Sequence, residues 1–93
     1  MKTLSNSDIS GVKINVPDVK VIGNGDMFQL LCKAYSEREG WMKSTKAMEI
    51  SGVGCIVQVT TQQGKNVAEA LVFVPGVHVE SDENGGRELV KNK

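Results

Sequence analysis

GCIVQVTTQQGKNVAEALVFVPG, residues 54–76, is the stretch on which the reading of the fold turns. Cys55, Val57 and Val59 alternate with Ile56, Gln58 and Thr60 in a β-branched segment, the period of a strand with one face on a core. The loop 62–66 carries Gly64, and a second apolar, β-rich run follows from Val67 to Val74. The two runs are expected to pair as a hairpin. Pro75 and Gly76 then bend the chain, and Val77 and Val79, alternating with His78 and Glu80, predict a short last strand.

Upstream, Trp41 to Ile50 mixes Met42, Thr45, Met48 and Ile50 with Lys43, Lys46 and Glu49, an imperfect alternation that favours a strand, with a turn at Ser51, Gly52 and Gly54. Asn24, Gly25 and Asp26 form another turn, and the Asp26 carboxylate suits a helix N-cap. Met27, Leu30, Leu31 and Ala34 recur at steps of three and four, which predicts an amphipathic helix from Met27 to about Arg38, ended by Gly40. Val12, Ile14 and Val16 alternate with Lys13 and Asn15, the pattern of an edge-like strand interrupted at Pro17 and resumed at Val19 and Val21. Residues 1–11 are expected to be a frayed N-terminus. Residues 81–93, rich in Asp, Glu, Asn, Gly and Lys with only Leu89 and Val90 as anchors, are expected to be a flexible, disordered C-terminal tail. The expected fold is α+β: a single domain over residues 12–80, in which one helix packs on a small antiparallel sheet of three to five strands.

Size and charge narrow the function classes. A chain of 93 residues, 40% hydrophobic and 24% charged, fills one globular core. A domain this short buries only about 60% of its unfolded surface, which leaves its stability marginal and gives weight to a partner or a second copy. Eleven basic and eleven acidic residues cancel, so no global field draws the protein to nucleic acid or to an anionic membrane. No apolar stretch of signal-peptide length follows Lys2, and the longest apolar run, Ala70 to Val74, is far short of the roughly 20 residues of a membrane helix. A cytoplasmic protein is the expectation, with Cys32 and Cys55 reduced.

The fragments that suggest chemistry are incomplete. Gly23, Asn24, Gly25 and Asp26 begin like a phosphate loop, but the third glycine of a dinucleotide fingerprint falls at Phe28, and no Lys-Ser or Lys-Thr follows. Cys32, Cys55 and the single His78 do not make a zinc set, and no other metal or cofactor motif is present. Cys55 is a nucleophile only if His78 meets it as a base, whereas its place in the row of Val57 and Val59 reads as core. A cysteine-dependent enzyme is the weakest reading, and no catalytic residue is assigned. Paired carboxylates, Glu37 with Glu39 and Asp82 with Glu83, sit where nothing holds them in a reactive geometry. One surface patch, Tyr35, Arg38, Trp41, Lys43 and Lys46, interleaves aromatics with cations, as proteins that hold single-stranded nucleic acid do. Lys43 shares the strand face of Trp41, Lys46 lies on the opposite face, and Glu37, Glu39 and Glu49 offset the charge.

Residues 54–63, with Val72-Phe73-Val74-Pro75-Gly76-Val77, resemble small uncharacterised proteins encoded by tailed bacteriophages and prophages. The resemblance implies a bacterial cytoplasmic setting and a role in modulating a host or phage macromolecule. It carries no functional residue. The leading expectation is a non-enzymatic accessory protein that acts through contacts with a protein partner or with itself, by the exposed edge of its sheet and the Trp41 region. The alternative is a small nucleic-acid-binding domain using the aromatic and basic patch.

Overall fold

A computed structural model describes residues 8–93. Over those residues the chain is mostly β, not α+β: one short helix, α1 (Ile9–Asn15), precedes β1 (Gln29–Ser36), β2 (Trp41–Ile50), β3 (Gly54–Gln63), β4 (Asn66–Pro75), β5 (Val77–Ser81) and β6 (Arg87–Lys91). Strands β1 to β4 form a sheet in the order β1-β2-β3-β4, and β5 and β6 form a separate antiparallel pair.

The hairpin around Gly64 is present, with Gln63 opposite Asn66 and the ladder unbroken to Gly54 opposite Pro75. Gly64 has φ +59° while Lys65, like every described residue other than glycine, has no positive φ, so Gly64-Lys65 carries the pattern of a type II′ turn, whose hand matches the twist of the strands. The strands expected from Trp41 and from Val77 are also there.

Three expectations are overturned. The segment expected as a helix from Met27 is strand β1, paired along its length with β2. Met, Leu, Gln, Lys and Ala favour a helix locally, but pairing with β2 outweighs a propensity difference of well under 1 kcal/mol per residue. The adjacent Leu30 and Leu31, which suggested a helical face, are accommodated by a bulge between Leu30 and Cys32. Conversely, the segment expected as a strand at Val12 is α1. Asp8 caps it by accepting a hydrogen bond from the Gly11 amide at 2.8 Å, and Ile14, at 80% exposure, points to solvent. Asp26 does cap a helix, but this one: its carboxylate accepts from the Ile9 amide at 2.8 Å. Finally, the segment expected as a disordered tail contains β6, paired with β5 from Ser81–Arg87 to Val77–Lys91. The connecting loop is closed by Asp82, whose carboxylate accepts from the amides of Asn84 and Gly86, both at 2.8 Å. Of the frayed N-terminus expected over 1–11, residues 1–7 lie outside the described residues.

The β5–β6 hairpin explains where the core sits. Pro75 ends β4, and Gly76, at φ +72°, turns the chain back across one face of the sheet. Val77, Val79 and Leu89 pack there with Leu31 and Val74 against the buried Ala47, Cys55 and Val57. Hydrogen bonds pin this second layer. The Val79 amide donates to Glu49 at 2.8 Å, the Asn92 amide to the Gly76 carbonyl at 2.8 Å, and the Arg87 guanidinium to the Leu30 carbonyl at 3.3 Å. The opposite face buries Met42, Ser44, Thr60 and Gln62, which lie toward the other end of the strands. Of β4 only Val74 reaches the core under the hairpin. Among the described residues no helix is long and apolar enough to cross a membrane.

Candidate functional site: an undefended sheet edge

All of β4 except the half-buried Val74 is exposed. Val67 is 50% exposed, Leu71 63%, Val72 55% and Phe73 47%, values foreign to a run this apolar. The cross-strand partners assign the faces. Val72 lies opposite Val57 and Val74 opposite Cys55, on the side covered by the β5–β6 hairpin. Phe73 lies opposite Ile56 and Leu71 opposite Gln58, on the other side. The hairpin packs over β1, β2 and β3, and β4 joins that core only through Val74 at its end.

The third side of β4 is its open backbone edge. A two-residue turn makes Gln63 and Asn66 a hydrogen-bonded pair, and the Gly76 amide continues the ladder at the far end by donating to the Val53 carbonyl at 2.9 Å. Even-numbered residues of β4 therefore turn their backbone groups toward β3. Val67, Glu69, Leu71, Phe73 and Pro75 turn theirs outward. Pro75 falls on the outward row, so its missing N–H costs the β3–β4 ladder nothing.

The two edges of the sheet are treated differently. Edge β1 carries the bulge after Leu30 and the charge of Lys33, and the Arg87 side chain occupies the Leu30 carbonyl. Those are the devices by which proteins stop sheets from pairing edge to edge. In β4 the register is unbroken for ten residues, Glu69 is the single charge, and the only proline is terminal. Thr60 on the neighbouring strand donates to the Glu69 carboxylate at 3.4 Å. A long, mostly apolar strand with no bulge in its register is a template for another strand.

The residues singled out from sequence are distributed over both faces. Trp41 and Lys43 share the hairpin-covered face, with Trp41 half-buried and Lys43 exposed, toward the end the hairpin does not reach. Tyr35 lies opposite Met42, hence on the other face, where the Lys33 ammonium sits 5.4 Å from its ring. Lys46 lies on that same face among the residues beside α1, with Ile9, Val12 and Met48. Arg38 is in the exposed turn between β1 and β2. The fold brings Trp41 together with Lys43, and Tyr35 with Lys33, but does not gather the five into one surface.

The cysteine and histidine are separated as well. Cys55 is fully buried, its thiol 3.7 Å from the Val77 carbonyl, and burial followed by the nearby Glu49 carboxylate pushes its pKa up. His78 alternates with Val77 and Val79 and so projects from the outer side of the hairpin. Its Nδ1 lies 2.6 Å from Asn92 Oδ1 and its Nε2 2.5 Å from Glu80 Oε2. The Asn92 hydrogen bond first, then that to Glu80, raises its pKa, because two acceptors hold the doubly protonated ring best. No cluster of three or more metal-ligating side chains occurs among the described residues.

The β4 edge was not singled out from sequence as residues. Its signal was the unbroken run from Ala70 to Val74, a pattern that belongs to strands covered on both faces. Here, among the described residues, only Val74 at the end of that run is partly covered.

The family model of the Lockin family matches residues 1–90, and the chain belongs to that family. No curated protein and no solved structure matches it.

Proposed function

We propose that this member of the Lockin family is a non-enzymatic protein-binding module, which engages its partner by accepting a strand onto the open edge of β4. The observation that carries this reading is the contrast between the two sheet edges, one interrupted by a bulge and occupied by Arg87, the other mostly apolar and regular over ten residues. In strand addition the backbone of the edge supplies register and hydrogen bonds, and alternating side chains supply selectivity. Four outward amides, those of Val67, Glu69, Leu71 and Phe73, are placed for it, flanked by apolar side chains on both faces. The aromatic and basic set lends nucleic-acid binding less support, because the sheet divides it. The phage-type resemblance of residues 54–63 adds a bacterial cytoplasmic setting to the proposal.

A photocrosslinking residue at Leu71 tests it, with the same residue at Lys33 on β1 as the control. The expected result in bacterial cells is a discrete protein adduct from position 71 and none from position 33. Equal adducts from the two edges, or no protein adduct from position 71, would overturn strand addition at β4.

A further inference from the structure

We infer that the strand accepted by β4 is β4 of a second copy of this chain, paired antiparallel across a two-fold axis at Leu71 to give a continuous eight-stranded sheet. The inference rests on the strand-addition reading and names its partner.

The first argument is surface. The protein exposes 6805 Å², whereas a compact monomer of its 10.0 kDa is expected near ~5,200 Å². Its radius of gyration is 14.2 Å, against about 12 Å for a compact domain of this length. The difference, about 1,600 Å², exceeds the roughly 800 Å² that one partner contributes to a standard interface.

The second argument is the core. Met42, Ala47, Cys55 and Val57 are the buried apolar residues among those described, a thin core for a chain of this size. A core this thin is one that a disulfide, a metal or association would stabilise. Both cysteines are free, one exposed and one buried, and the described residues hold no metal-type cluster. Association is what remains. A second copy of the chain is the partner always present in matching amount, and binding to the folded state alone stabilises it.

The third argument is self-complementarity. A two-fold axis at Leu71 is the register that pairs all five outward residues: Leu71 with its own symmetry mate, Glu69 with Phe73, and Val67 with Pro75. The only charge on the strand then avoids its own copy, and the one missing donor falls at the end of the ladder. On the other face Ala70 comes opposite Val72, small against branched, as a non-hydrogen-bonded pair.

Sedimentation equilibrium of the full chain gives the first reading, with a mass of twice 10.0 kDa expected at micromolar concentration. A monomer at that concentration would overturn the inference. Because a variant that cannot pair may also fail to fold, the register is tested in a folded dimer. In a Cys32→Ser background, the pair Ala70→Cys and Val72→Cys should give a covalent dimer on mild oxidation with diamide, and neither single substitution should. A dimer that the double variant does not link, or that a single variant links, would overturn the Leu71 axis. A monomeric chain whose position 71 photocrosslinks to a different protein would sink the second copy while leaving strand addition at β4 standing.

Discussion

Gly54 shows how one residue can fix a turn in the sheet. A Cβ built there would fall inside the van der Waals envelope of the Val74 carbonyl and 2.9 Å from the Pro75 Cα, both backbone atoms that cannot swing away. Gly54→Ala should therefore lower stability by about 2 kcal/mol, the cost typical of overpacking, as read from a urea unfolding midpoint with unchanged slope. The outward and inward rows of β4 make a second prediction at this scale. Leu71→Pro removes an amide that faces away from β3 and should leave the chain more stable to urea than Val72→Pro does at the same protein concentration. Val72→Pro removes one that bonds within the sheet and should abolish the fold, since an interior ladder tolerates no missing donor. The reverse order, Leu71→Pro the more damaging, would show that the rows are assigned the wrong way round.

At the scale of elements, the β5–β6 hairpin is the lid on the core, and it responds to pH. His78 is held above its ordinary pKa of 6.5 by Asn92 and then Glu80, so the folded state binds its proton more tightly than the unfolded chain does. That contribution is fully present below the unfolded value and is lost as pH rises through the raised folded value. The melting temperature should fall between about pH 6 and the alkaline side of that value. His78→Gln should flatten this slope, which a thermal scan across pH would measure. The apolar side of the same hairpin predicts a separate effect. Leu89→Ala should cost roughly 1–2 kcal/mol, less than for a fully buried leucine because Leu89 is half-buried. It should also speed labelling of Cys55 by a maleimide, since the thiol lies under β5.

For the whole molecule, stability and association are coupled if the β4 edges close on one another. The melting temperature should then rise with protein concentration, by the mass-action rule that anything bound only to the folded state stabilises it. Differential scanning fluorimetry over a hundredfold dilution series would read this directly. A melting temperature constant across the series would separate the stability of the chain from its partner.

Local residue chemistry determined a good part of this protein. The turn at Gly64, the strands on either side of it, the strand from Trp41 and the bend at Pro75-Gly76 were all legible, because each depends on neighbours in the chain: a glycine with positive φ, a β-branched alternation, a proline without an amide. Tertiary structure decided the rest. Residues 27–36 have the composition of a helix and became a strand because β2 offered a ladder to pair with. Residues 9–15 alternate like a strand and became a helix because Asp8 and Asp26, the latter 17 residues away from Ile9, supply its first caps. Residues 87–91 are too polar to fold alone and are ordered by pairing with β5 and by packing Leu89 on the core. The site belongs to the same class. The apolar run in β4 is written in the sequence, but whether it is covered depends on where the β5–β6 hairpin comes to rest, and that is set by long-range packing that no local pattern encodes.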